Sequence, residues 1–281
     1  MINVKQITFS YPKGKQDTLH NFSLQMETGN VYGLLGKNGA GKSTLLYLLC
    51  GLLTPQQGEV SIDNIPVRQR CPELMRQIFL VPEEFNLPDT SLKNYIKTNS
   101  CFYPTFDEKA MARNLELFEM EADIRLETLS MGQKKKVFIA FALACNTPYL
   151  IMDEPTNGLD IMGKSQFRKL ISANMTDEKT VIISTHQVRD IDQLLDHIII
   201  IDNSEVLMKA STLEISKRLK CVVSFEQKLT EQALFALPSL QGNQLILPNT
   251  DNEDTELNLE LLFGAALSHP EEFKQMFTTL S

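Results

Sequence analysis

The sequence of 281 residues has no tryptophan. It also has no apolar run near the roughly 18 to 20 residues that a membrane-crossing helix needs. Its longest apolar stretches, residues 45–53 and the run around 197–201, suit buried core elements. A secretory leader is not expected, since the chain opens on an alternating stretch, residues 2–9. Five cysteines (Cys50, Cys71, Cys101, Cys145 and Cys221) lie scattered and form no C-x-x-C pair. Such scatter points to buried or free thiols in a reducing cytoplasm. Positive charge is in deficit: 27 Lys and Arg stand against 35 Asp and Glu, for a net charge of −8. That argues against a broad nucleic-acid surface, though not against a local patch. The 43% hydrophobic content supports a substantial core, in one large domain or two small ones.

What is present is organised around residues 36–44, Gly36-Lys37-Asn38-Gly39-Ala40-Gly41-Lys42-Ser43-Thr44. The stretch fits the phosphate-loop pattern G-x-x-x-x-G-K-[ST]. An apolar run, residues 31–35, precedes it as a buried strand, and residues 43–50 follow as a helix start. Glycines let the backbone approach a ligand, and successive N–H groups then form an anion nest. The helix adds its unpaired N–H groups and the positive end of its dipole. Lys42 supplies a point charge for the β- and γ-phosphates, and the Ser43 hydroxyl can ligate Mg²⁺.

Ahead of the loop, residues 2–9 and 19–26 alternate and predict a hairpin-like strand pair, with a turn at residues 10–14. Tyr11, just after the first strand, is an exposed aromatic that could stack on an adenine ring. After the loop helix come a short strand at 59–63, a turn at Asp63-Asn64, and a strand at 78–81. A loop with two prolines follows at 82–88. From 91 to about 131 the apolar spacing turns helical, which predicts an inserted helical unit. Residues 134–144 predict a helix whose basic first turn, Lys134-Lys135-Lys136, reads as a solvated face.

Residues 149–154 end an apolar run in two carboxylates, Asp153 and Glu154, as a strand buried on both faces would. Ligands of parallel sheets sit at the carboxyl ends of strands. Residues 180–186 repeat the design and end in Ser184-Thr185-His186, with a helix expected over 165–174 between them, making a βαβ unit. Residues 197–201 and 206–208 close a last hairpin.

Together these motifs resemble the ATP-binding subunit of an ABC transporter over about residues 1–210. Residues 36–44 are similar to Walker A. Leu129-Ser130-Met131-Gly132-Gln133 resembles the signature L-S-G-G-Q, with Met131 at its third place. Residues 150–156 resemble Walker B, 157–160 the D-loop, and His186 the switch histidine. The resemblance implies an α/β fold: a P-loop NTPase core of mainly parallel sheet, an N-terminal antiparallel β-subdomain, and an inserted α-helical subdomain at about 86–134. It also implies that Tyr11 stacks on adenine, that residues 36–44 hold the phosphates of ATP, and that Ser43 and Asp153 hold Mg²⁺. Glu154 would be the catalytic base, helped by Lys42 and His186. Ser130, Met131, Gly132 and Gln133 would close on ATP held by a second cassette, with Asp160 bridging the two sites. A homodimer or paired cassette is implied, with separate transmembrane permease subunits, no nucleic-acid partner, and a place on the inner face of the cell membrane. One departure stands out: Glu83 occupies the place where the family usually has Gln. Glutamate still offers an oxygen to metal or water but adds negative charge. Some exporter-type cassettes carry it, which with the short tail leans the reading towards export.

Residues 211–281 predict a small α+β extension: helix at 211–220, strand at 221–226, helix at 230–237, strand at 244–247, an acidic loop at 251–256, and helices at 256–263 and 270–277. It would regulate, help to dimerise, or cap the core; no motif decides. A soluble ABC ATPase acting on DNA or the ribosome is the alternative function. Such proteins usually carry tandem cassettes, coiled coils, zinc insertions or basic arms, which this sequence lacks. A module that binds nucleotide without hydrolysis is disfavoured by the presence of both Glu154 and His186.

Overall fold

The computed structural model describes residues 1–12, 17–251, 253 and 255–277. Lys13 and Gly14 of the expected first turn lie outside the described residues, as do Asn252 and Asp254 of the expected acidic loop. Strands β1 (Ile2–Phe9) and β2 (Leu19–Met26) pair antiparallel. Strand β3 (Val31–Leu35) leads through the glycine loop into α1 (Lys42–Leu49). Strand β4 (Gln57–Ile62) and the short β5 (Ile65–Pro66) then join β1 and β2 in a four-stranded sheet of order β2-β1-β4-β5. Asp63 and Asn64, both at positive φ, make the tight turn between them, as two short polar residues can.

Helix α2 (Pro72–Met75) precedes β6 (Ile78–Val81). The helical insertion is α3 (Leu92–Asn99) and α4 (Glu108–Leu117), followed by the long α5 (Met131–Ala144). Next come β7 (Tyr149–Asp153), α6 (Ile161–Asn174), β8 (Thr180–Thr185), β9 (His197–Asp202) and β10 (Glu205–Ser211). The central sheet has order β10-β9-β3-β8-β7-β6, parallel except for β10. The α/β fold with a mainly parallel core sheet is as expected.

The sheet is buried on both faces, and its side chains divide by parity. Val31, Leu150, Met152, Ile183, Ile198 and Ile200 face the core shared with α5 and α6. Tyr32, Leu34, Ile151, Ile182, Ile199 and Ile201 face α1 and the four-stranded sheet. This is why the strands read as continuous apolar runs rather than as alternation. On the first side, Phe141 of α5 sits between the rings of Phe79, Tyr95 and Phe106, at centroid distances of 6.0, 5.2 and 5.4 Å. It thereby joins the helical insertion to the sheet.

Three local expectations change. Helix α6 starts four residues earlier than its apolar spacing implies, because the Asp160 carboxylate caps it by accepting from Gly163 N at 2.7 Å. The lysine run 134–136 is not a solvated face: α5 starts at Met131, and its rotation turns Lys135 inward to 5% exposure. In the extension, α7 (Thr212–Arg218) leads to β11 (Leu219–Ser224), then α8 (Gln227–Gln232), β12 (Phe235–Ser239) and β13 (Gly242–Pro248). Residues 235–237, expected to be helical, are strand, because they pair with β13 through Phe235–Ile246 and Leu237–Gln244. Helices α9 (Leu259–Ser268) and α10 (Pro270–Phe277) complete the chain. Leu262, Ala265, Phe273 and Phe277 are buried in the same core as α5 and α6.

Replacing Phe141 by alanine is expected to cost about 3–5 kcal/mol, since a large ring leaves a void between sheet and insertion. Urea denaturation of the variant checks this.

Candidate nucleotide site

The polar site lies along the carboxyl ends of β3, β8, β7 and β6, which are neighbours in the sheet. Residues far apart in sequence converge there because parallel strands all end on the same side.

At the end of β3 the loop folds over Lys42. The Lys42 ammonium donates to Gly36 O at 2.7 Å and to Lys37 O at 3.1 Å. Gly36 and Gly41 are needed for shape. A Cβ on Gly36 would lie 2.7 Å from Ile201 O. Gly41, at φ +93°, would place one 2.9 Å from Leu19 Cδ2. Lys37, Asn38 and Gly39 are exposed, Ala40, Lys42 and Thr44 are buried, and Ser43 is half-buried. Tyr11 is 43% exposed, packs edge-on against Phe9, and shares a hydrogen bond with Thr44 Oγ1 at 3.2 Å. A cleft of about 440 Å³ runs beside the loop, bounded by Asp17, Lys37, Gly39 and Asp202.

Asp153 ends β7 at 1% exposure and accepts from the Ser184 hydroxyl of β8. Glu154, 5% exposed, has φ +44°, a left-handed conformation that costs a non-glycine residue about 1 kcal/mol. Three donors meet its carboxylate: His186 N at 3.0 Å, His186 Nδ1 at 2.7 Å and Thr185 Oγ1 at 3.1 Å. Glu83, beyond β6, accepts from Asn157 Nδ2 at 3.0 Å. Burial lowers the Lys42 ammonium from its usual pKa, while Glu154, Asp153 and Glu83 act against it. The lysine and the three acids thus share one electrostatic neighbourhood.

The structure therefore brings Lys42, Asp153, Glu154, Glu83 and His186 together. It leaves the signature apart. Ser130 caps α5 in a reciprocal box with Gln133, at 3.3 and 3.0 Å, and Met131 is 63% exposed. Among the described residues, no hydrogen bond joins residues 130–133 or Asp160 to the loop at 36–44. Gly132 packs on the turn after β7, where a Cβ would lie 2.9 Å from Gly158 O.

Several residues escaped the sequence reading. Ser184 and Thr185 orient the two acids; their signal was polar side chains ending an apolar strand. Lys135 donates to Glu154 O and Asn157 O, each at 3.1 Å. Burial lowers its pKa too, against Glu83, Glu154 and Asp153. Its position four residues before Ile139 and seven before Ala142 put it on the buried face, and helical periodicity could have shown this.

A family model described as ABC transporter matches residues 19–157. An ABC transporter ATP-binding protein of Listeria monocytogenes is 33% identical over 231 residues, covering 75% of this chain and 82% of that protein. The chain belongs to the ABC transporter ATP-binding family. As an ABC cassette it binds ATP and is an ATPase. A Nod factor export ATP-binding protein of Cupriavidus metallidurans is 31% identical over 67% of this chain. A methionine import ATP-binding protein of Carboxydothermus hydrogenoformans is 34% identical over 74% of it. The chain spans 64% and 65% of the length of these two relatives. Among solved structures, a dimeric ATP-binding cassette in a post-hydrolysis state with ADP and Pi aligns at TM-score 0.66 and 29% identity, over 75% of this chain and 98% of that one. No helix among the described residues is long and apolar enough to cross a membrane.

Lys135→Met is expected to destabilise the cassette by about 2–4 kcal/mol, because two carbonyls lose a charged donor. Lys136→Ala, whose ammonium among the described residues meets Gln166 Oε1 and the Phe118 ring, is expected to cost under about 1 kcal/mol. Parallel denaturant titrations compare the two.

Proposed function

We propose that this cassette pairs with a second copy around two ATP molecules and powers a separate membrane permease. The observation that carries the reading is Glu154. A buried carboxylate is held in a left-handed backbone conformation beside Asp153 and bonded by His186. Backbone strain of this kind persists where the surroundings over-determine it, most often at functional sites. Glu154 is placed to orient and polarise the attacking water, and His186 to contact the transferred phosphoryl group. Lys42 and the loop amides hold phosphate oxygens, and Tyr11 stacks on the base. Phosphoryl transfer needs little more than such positioning and charge neutralisation.

The donor set also suits Mg²⁺. Ser43, Asp153 and Glu83 offer only hard oxygens. No group of three or more His, Cys, Asp or Glu side chains poised for a metal occurs among the described residues. A metal of this kind is held by one or two carboxylates, here Asp153 and Glu83, plus the Ser43 hydroxyl and substrate phosphates. When bound, the ion supplies charge neutralisation at the phosphates.

The exposed signature supports pairing. Ser130 and Gly132 stand at an open helix N-terminus that makes no bond to their own loop, and Ile161 and Met162 beside Asp160 are 86% and 62% exposed. That a cassette of similar fold is dimeric with ADP and Pi bound supports the same reading. With no membrane-crossing helix among its described residues, the cassette would act through permease subunits on the inner face of the membrane. We assign export on Glu83 and the short tail, since relatives of comparable identity are named for both directions. We also propose a boundary near residue 210 between cassette and extension.

Glu154→Gln is expected to lower ATP turnover at least about 100-fold, the scale of a lost general base, and to accumulate an ATP-bound dimer. Turnover assays with light scattering test both, and wild-type turnover in this variant would remove Glu154 from its role. Tyr11→Ala is expected to weaken ATP binding about 5- to 100-fold, the worth of a stacked base. Nucleotide titration checks it, and unchanged affinity would end the stacking assignment.

A further inference from the structure

Beside His186 runs a chain of side-chain hydrogen bonds that no motif predicted. Lys164 Nζ donates to Gln187 Oε1 at 3.1 Å. Gln187 Nε2 donates to Asn157 Oδ1 at 3.4 Å, and Asn157 Nδ2 donates to Glu83 Oε1 at 3.0 Å. The two ends fix its direction. An ammonium can only donate and a carboxylate can only accept, so neither amide can be flipped without setting like against like. Lys164 is itself held by Asp190 at 2.8 Å.

With Oε1 committed to Lys164, the amide nitrogen of Gln187 must face the other way. It lies 3.4 Å from Asn157 Oδ1 and 3.5 Å from His186 Nε2. An amide nitrogen has two N–H groups and no lone pair to offer. In its contact with His186 Nε2 at 3.5 Å the amide can therefore only donate, which makes Nε2 the acceptor. On the opposite edge of the ring, the Glu154 carboxylate at 2.7 Å calls for a proton on Nδ1. A ring protonated on both nitrogens would satisfy Glu154 but would set Nε2–H against Gln187 N–H.

We propose that Gln187 is a positioning residue that holds His186 with Nε2 unprotonated and its lone pair occupied. Glu154 fixes one nitrogen and Gln187 the other. This builds on the reading of His186 as the phosphate-contacting residue but goes beyond it. An Nε2 lone pair cannot donate to a phosphate oxygen. Engagement then requires that the Gln187 amide leave and that Nε2 take up a proton from solvent. Gln187 thus competes with the phosphate for the same nitrogen. The network also ties this competition to Glu83.

The groups around the ring are Glu154 on its inner side, and Lys164, Asp190, Asn157 and Glu83 reached through Gln187. The test is nitrogen-15 NMR of the imidazoles in the full chain without nucleotide, near neutral pH. The sequence has 4 histidines, so single replacements assign the signals. In the wild type, Nε2 of His186 is expected to appear unprotonated and Nδ1 protonated. Gln187→Glu, which turns the donor into an acceptor, is expected to move His186 to a form carrying a proton on Nε2. Gln187→Leu is expected to shift the Nε2 signal by removing its donor. Wild-type protein with a proton on Nε2 would overturn the proposal, as would variants that leave the His186 signals unmoved. Gln187 is exposed, so the variants are expected to fold, and circular dichroism checks that they do. The NMR readout does not depend on ATPase activity. Separately, Gln187→Leu is expected to lower KM for ATP several-fold with kcat within about two-fold. A KM effect absent while the NMR pattern holds would count against phosphate contact by His186, and leave the positioning by Gln187 standing.

Discussion

A carboxylate with 5% of its surface exposed must find donors inside the protein, and among the described residues the donors to the Glu154 carboxylate come from the neighbouring strand and the residue after it. Burying such a group without partners would be prohibitive. The pairing of β7 with β8 is therefore more than a packing arrangement. The register that sets Asp153 opposite Ser184 places the Thr185 hydroxyl and the His186 ring against the acid. The left-handed turn at Glu154 is held from the other side by Lys135, whose ammonium bonds the carbonyls of Glu154 and Asn157. Thr185 at the end of the next strand, His186 just after it and Lys135 from α5 thus fix the position of a single catalytic candidate.

The same logic explains why a helix that begins at the signature also supports the acid. Its first turn is exposed and capped by its own Ser130 and Gln133, while Lys135 reaches the site. Movement of α5 relative to the sheet would then be felt directly at Glu154 and Asn157. Asn157 also bonds Glu83, so the turn after β7 collects contacts from α5, from the segment after β6 and from the segment after β8. The extension is tied to this region as well: Arg189, three residues beyond His186, pairs with Glu260 of α9 at 2.5 Å. Because that pair is largely exposed, it contributes orientation more than stability.

Much of this was legible in the linear sequence. The glycine loop, the two acids ending an apolar run, and the Ser-Thr-His ending of the next strand all read directly, because strands buried on both faces carry no alternating disguise. Lys135 was misread because three adjacent lysines look like a solvated face when judged by composition, and only the start of the helix at Met131 sets the rotation that buries the middle one. Residues 235–237 were misread for a related reason: their local preference was overridden by pairing with β13, a long-range contact that propensity does not contain.

What the sequence by itself determined was which residue types are available and in what order: a phosphate loop, paired carboxylates, a histidine and a capped signature helix, enough to specify the family. Tertiary structure alone decided which of them meet. Strand order β3-β8-β7-β6 puts segments more than a hundred residues apart on one edge, and the signature, central to the motif set, ends away from its own loop. The hydrogen-bond direction at Gln187 belongs to that second class. An amide is symmetric in sequence, and only a lysine at one end and a glutamate at the other give it a sense.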